Sequence, residues 1–231
     1  MDRPTLCLLP GLDGTGRLYD RLRTELADFP IRVLAYERAH GSDYATLARE
    51  LAPQLPATHF VLIAESFAGP LGVMLASQRP SGLRALVLAA SFVTCPTRFK
   101  HVALGLLQIA PSWRPPVALL MPWLAGPQAD EALRSQLEST LAGVPLKVLR
   151  ARARAALHCD EREAVARVEV PLLSLRASRD RIVRAGANLE VMKHARLASC
   201  VSLDAPHFLF QTAASEAANA IRAFLRRHGI Y

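Results

Sequence analysis

Phe60-Val-Leu-Ile-Ala-Glu-Ser-Phe-Ala-Gly-Pro-Leu-Gly72 starts as an apolar strand and ends as a helix, with a serine at the join. The run Phe60–Ile63 has no polar alternation, which predicts a strand covered on both faces. Small residues at Ala64, Ala68 and Gly69 bracket Ser66 and leave room for a sharp strand-to-helix turn. A serine hydroxyl is a poor nucleophile until a base takes its proton, so it must project from a sheet edge toward that base. A helix beginning at once behind it aims backbone N–H groups at developing negative charge. A small-x-Ser-x-small turn also serves as an ordinary helix N-cap, so the rest of the chain has to decide.

Outward from this turn the same rhythm recurs. Strands are predicted at Thr5–Leu9, Ile31–Ala35, His59–Ile63, Ala85–Ala90, Pro171–Leu175 and Cys200–Leu203. Helical patterns fill the intervals at Gly16–Ala27, Tyr44–Leu51 (with Ser42 or Asp43 as cap), Phe67–Ser77, Ala185–His194 and Thr212–Arg227. Apolar runs alternating with helices imply a doubly wound α/β fold, a mostly parallel sheet of about six strands with helices on both faces. In such a sheet the chemistry sits at the carboxyl ends of the strands. The 231 residues read as a single domain, 1–231, with a helical cap insertion at approximately 92–168. That insertion is proline-rich at first, then carries spaced leucines over Ala132–Leu141 and Lys147–Leu157. Ordinary surface helices are the alternative reading of the same segment.

Two further strand ends carry chemistry. Asp180 follows the strand Pro171–Leu175, and His207 follows Cys200–Leu203, so both lie at the same predicted edge as Ser66. Histidine can shuttle the serine proton, and a carboxylate fixes its tautomer and stabilises the imidazolium. Taken singly, Asp180 could pair with its arginine neighbours and His207 could close a loop. Asp204 is the competing acid, but three residues from His207 it is better placed to structure the turn. His40, His59, His101, His158, His194 and His228 share no strand-end motif with a carboxylate and read as surface or structural groups.

Ala64-Glu-Ser-Phe-Ala68, with Gly69 one place on, resembles the nucleophile elbow G-x-S-x-G of the α/β-hydrolase superfamily, with alanine at both outer glycines. The order Ser66, Asp180, His207 is that of the family's catalytic triad. The resemblance implies a serine hydrolase that cleaves a carboxylic ester or thioester through an acyl-enzyme on Ser66. It also implies an oxyanion hole made by the backbone N–H groups of Leu12 and Phe67, with Pro10-Gly11 standing where the family usually has His-Gly. The two strands that usually lead the family's sheet have no counterpart before Thr5. Pro10-Gly-Leu-Asp-Gly-Thr-Gly16 and Ala64-Glu-Ser-Phe-Ala-Gly-Pro70 resemble a branch of small hydrolases related to plastid lipid acyltransferases, which keeps acyl transfer as an alternative.

Other classes are weighed on the same residues. Gly11-x-x-Gly14-x-Gly16 with Glu37 has the outline of a dinucleotide-binding loop, yet Asp13 would face the pyrophosphate and no hydride-transfer pair follows. A non-catalytic ligand-binding protein with this fold would need no complete triad. No metal or organic cofactor is implied: Cys7, Cys95, Cys159 and Cys200 lack ligand spacing, and Cys7 and Cys200 sit in apolar runs as small hydrophobes. The formal charge is +8, and the basic stretch Lys147–Arg154 has no interleaved aromatics, so a solvated face is expected and no nucleic-acid partner. Leu6–Leu9 is too short for an export signal and Pro111, Pro115, Pro116 and Pro122 interrupt the most apolar segment, so no membrane insertion and a cytoplasmic location are expected. The expected partner is a small ester, with Trp113, Met121 and Trp123 of the apolar insertion as candidates to meet an acyl chain.

Overall fold

The computed structural model describes residues 3–39, 41–109 and 114–231. His40, Pro111 and Trp113 lie outside the described residues. Six strands form one parallel sheet: β1 (Thr5–Leu9), β2 (Ile31–Val33), β3 (Phe60–Glu65), β4 (Leu83–Ala89), β5 (Leu172–Ala177) and β6 (Ala198–Leu203), in the order β2-β1-β3-β4-β5-β6.

The central strands are mostly apolar because both faces are covered. Successive side chains of β3 enter different cores: Phe60, Leu62 and Ala64 on one face, Val61 and Ile63 on the other. β1 divides likewise, with Cys7 and Leu9 opposite Leu6 and Leu8. At ~1.5–3 kcal/mol for each fully buried large aliphatic side chain, this double burial fixes the register. Edge strand β6 has one open face, so its burial alternates and Cys200 is exposed, unlike buried Cys7. The run Cys200–Leu203 is thus a half-covered edge rather than an interior strand.

One core is closed by α2 (Tyr44–Leu51), α3 (Ala68–Ser77) and, later in the chain, α8 (Arg162–Ala166) and α9 (Gly186–His194). Asp43 caps α2 by accepting the Thr46 N–H at 2.9 Å. The other core is closed by α1 (Asp20–Glu25), α10 (Leu209–Thr212) and α11 (Ala214–Arg227). Helix α11 buries Ala217, Ala218, Ile221, Phe224 and Leu225 along one stripe. The helix expected over Gly16–Ala27 is shorter, because a 3-10 turn at Arg17–Tyr19 precedes α1. The final helix is likewise broken at Ala213, where φ −136° and ψ 45° leave the helical region.

Between β4 and α8 the chain builds α4 (Lys100–Ile109), α5 (Val117–Leu124), α6 (Glu131–Ala142) and α7 (Leu146–His158). This excursion leaves and returns at one place: Thr94 bridges Asp160, and Glu161 N–H donates to the Val93 carbonyl at 2.7 Å. Val117, Met121, Ala125, Leu133 and Leu137 form a separate small core with Leu18. Among the described residues no helix is long and apolar enough to cross a membrane.

Candidate active site

The sheet order reverses between β1 and β3, so the loops after these strands open side by side at their carboxyl ends. Leu9 is paired with Ala64, which sets the loop beginning at Pro10 beside Ser66. Ser66 has φ 51°, a left-handed conformation rare for a residue with a side chain. The turn is held there by its own surroundings. Ser66 N–H donates to the Ala89 carbonyl at 2.9 Å, and Gly69 N–H to the Ser66 carbonyl at 3.1 Å. The Ser91 hydroxyl donates to that same carbonyl at 2.5 Å. Small residues matter because helix α3 crosses β3 closely: a Cβ on Gly72 would lie 2.8 Å from Ala64 Cβ.

The acid and the histidine come from neighbouring loops, since Ala177 and Leu203 are paired at the ends of β5 and β6. His207 Nδ1 lies 2.8 Å from Asp180 Oδ2, and His207 Nε2 lies 2.8 Å from Ser66 Oγ. The second oxygen of Asp180 accepts the N–H groups of Ile182 at 2.8 Å and Val183 at 2.9 Å, which fixes the carboxylate's aim. Both side chains are almost fully buried, at 5% exposure for His207 and 7% for Asp180. Asp204 instead points outward at 83% exposure and pairs with Arg179 at 2.7 Å. His207 must reach from beyond β6 across β5 and β4, and the insertion helps to hold it: Phe208 N–H donates to the Leu124 carbonyl at 2.8 Å.

Opposite Ser66, Gly11 faces the serine; a Cβ built there would stand 3.9 Å from Ser66 Cβ. Leu12 follows Gly11, and Phe67 starts the turn into α3. Among the described residues neither amide donates to another backbone group, leaving two N–H groups beside the serine without a main-chain partner. The Phe67 ring is buried and stacks on Tyr44, 4.8 Å between centroids.

Three groups at this edge were not legible as site residues. The single hydroxyl proton of Tyr36 is shared between the carbonyls of Pro10 and Gly11. Burial pushes that hydroxyl well above the ordinary tyrosine range, so it remains a protonated donor. Arg152, on α7, is wholly buried rather than part of a solvated basic face. Its place on an inward stripe with Leu149 and Ala156 was the available signal. Glu65 lies beneath the serine turn, where it accepts from Gln211 at 3.0 Å. Burial pushes its carboxyl up to about 7, against the opposing pull of the Gln211 hydrogen bond and of nearby His207.

At Gly14 the glycine-rich loop packs against the chain's own side chains: a Cβ there would meet the Tyr36 ring at 2.7 Å and Arg152 Nη1 at 2.8 Å. Among the described residues no three His, Cys, Asp or Glu side chains gather as metal ligands. Of the aromatic and sulfur residues expected to meet substrate, Met121 is buried in the small core while Trp123 is 54% exposed. A cleft of about 470 Å³ lies between α5, α6 and the acid loop, walled by Met121, Pro122, Asp130, Arg134 and Arg181 among others.

Fold and strand-end geometry together define a hydrolase of the α/β type. More specifically, the chain belongs to the family described as serine aminopeptidase, S33, whose model it matches over residues 37–209. Solved structures share the fold at low identity. A lipase-esterase related protein from Clostridium acetobutylicum is 15% identical with TM-score 0.82, over 96% of this chain and 95% of that one. An esterase from Exiguobacterium antarcticum is 15% identical with TM-score 0.83, over 97% and 92%. An enol-lactonase from Burkholderia xenovorans is 16% identical with TM-score 0.78, over 98% and 92%. No curated protein matches the sequence at a significant level.

Proposed function

We propose that this hydrolase cleaves a carboxylic ester or thioester of a small, apolar substrate through an acyl-enzyme on Ser66. The observation that carries the reading is the unbroken chain from Ser66 Oγ through His207 to Asp180, 2.8 Å at each step. With Asp180 holding the proton on Nδ1, His207 Nε2 is free to take the serine proton as Oγ attacks the carbonyl carbon. The tetrahedral oxyanion is received by the N–H groups of Leu12 and Phe67. His207 then gives its proton to the departing alcohol or thiol. Water, activated by the same imidazole, releases the acid and restores the serine. Segment 92–168 acts as a cap over this edge, since its helices leave and return at one point and its Leu124 carbonyl anchors the histidine loop. The esterase and lactonase activities named for proteins of the same fold agree with this choice.

A fluorophosphonate probe should label the wild-type protein at Ser66, and Ser66→Ala should abolish both the adduct and turnover of p-nitrophenyl esters. The expected loss of rate is about 10⁵–10⁶-fold, the scale for removing a nucleophile from such a unit. Aminoacyl p-nitroanilides serve as the competing substrates. Turnover of the anilides with none of any ester would overturn ester cleavage, and an unlabelled Ser66 would overturn serine catalysis altogether.

A further inference from the structure

We infer that Arg152 is a positioning residue: from the insertion helix α7 it fixes, through Tyr36, the direction of the Leu12 N–H that receives the oxyanion. The inference rests on the serine-hydrolase reading above and adds to it a device outside the triad.

One peptide plane, Gly11–Leu12, links the two groups. In a trans peptide the C=O and the N–H point in opposite directions, so fixing one fixes the other. The Gly11 carbonyl is tied by the Tyr36 hydroxyl at 2.7 Å and by Gly14 N–H at 3.0 Å. The Leu12 N–H, on the far side of that plane, is thereby held to a single direction. The next plane is tied as well, because the Leu12 carbonyl accepts from Arg152 Nη1 at 2.9 Å. The same nitrogen bonds the Asp13 carbonyl at 2.9 Å. The Leu12 amide thus sits between two peptide planes that cannot rotate independently.

Arg152 also holds the residue that holds Gly11. Its Nη2 donates to the Tyr36 carbonyl at 2.7 Å, and its guanidinium lies over the Tyr36 ring, 4.8 Å from the centroid. A planar fork that binds carbonyls in two directions while stacking on an aromatic face is specific to arginine; a lysine ammonium is a point donor and cannot do both. Such charge-assisted bonds are stronger than neutral ones, and the side chain is 0% exposed, so water cannot substitute for it. Asp13 steadies the far end of the loop by accepting Thr15 N–H at 2.8 Å. A fully buried cation spent on three main-chain carbonyls of the oxyanion loop and its supporting turn is costly for fold alone; aiming one amide gives it a use.

The test measures kcat and KM separately on p-nitrophenyl butyrate, using the full chain with Arg152→Lys, Arg152→Met, Tyr36→Phe and Arg152→Met/Tyr36→Phe. Removing one oxyanion donor costs ~10²–10³ in kcat, and a misaimed donor forfeits part of that. Each single variant should therefore lose about 10- to 100-fold in kcat with KM within about threefold. The double variant should be no worse than the poorer single one, because both act on one amide. Folded Arg152 variants with kcat within about twofold of wild type, or losses that multiply in the double variant, overturn the inference. If the Arg152 variants do not fold, Tyr36→Phe decides alone, and an unchanged kcat there overturns it. An active wild type with unaffected variants removes this inference only; a wild type that neither turns over the ester nor labels at Ser66 removes the underlying reading and this one with it.

Discussion

The two turns that face each other across the active edge are built in opposite ways. The serine turn is made by its own strand and helix and their nearest neighbours: Ala64 against Gly72, and Ser66 bonded to Ala89 and Ser91. The loop from Pro10 to Gly16 instead depends on remote groups, Tyr36 from beyond β2 and Arg152 from the insertion. The histidine loop is of the second kind, tied to Asp180 across two strand ends and to Leu124 of α5. A locally built turn should fail through stability, whereas a remotely held loop should fail through rate.

Asp180→Asn offers the largest contrast. It keeps the size of the side chain but leaves His207 in the wrong tautomer, so kcat should fall about 10⁴-fold. Urea unfolding should show a far smaller change, and a loss of folded protein in step with activity would break the distinction.

Gly69→Ala probes the other kind. A Cβ there would stand 1.8 Å from Ser91 Oγ and 2.9 Å from the Phe92 carbonyl oxygen, so backbone must shift. Overpacking of this sort costs ~1–3 kcal/mol, read as a lower urea midpoint. A variant as stable as wild type would show that the turn has slack its close contacts do not suggest.

A pH-dependent effect concerns Glu65, under the turn and facing Gln211, Tyr19, Asp13 and His207. Its carboxyl pKa stands at about 7 against an ordinary 4.5, so the folded state binds this proton more tightly than the unfolded chain. The resulting stability is whole below about pH 4.5 and is lost as pH rises to about 7. Glu65→Gln keeps an acceptor for Gln211 and removes the titration. The variant should therefore gain on wild type between pH 5 and pH 7.5, by up to ~3 kcal/mol at 1.36 kcal/mol per pKa unit. Parallel stability curves would show that Glu65 ionises freely.

The contrast between the turns also separates what is legible in the sequence from what is not. The apolar runs of β1, β3, β4 and β5 and the small residues around Ser66 are local patterns, and burial on both faces leaves them one arrangement. The order of strand ends then put Ser66, Asp180 and His207 at one edge, and their contacts follow that placement. Arg152 lay in a stretch whose charges suggested solvent, because composition counts a cation without saying which side of the helix it occupies. Glu65 fills a variable place of the elbow motif, which carries no sign that it is buried and bonded to Gln211, 146 positions away.

By itself the sequence determined the parallel α/β sheet, its approximate strands and the serine turn, since each depends on side-chain periodicity or on neighbours a few residues away. Tertiary structure alone decided which cation enters the core, which tyrosine grips the Gly11 carbonyl and which carbonyl anchors the histidine loop. The cation and the anchoring carbonyl depend on where the roughly eighty-residue excursion from β4 to β5 lands on the sheet, the tyrosine on how the chain turns after β2, and a packed interior admits only the side chains that find partners there.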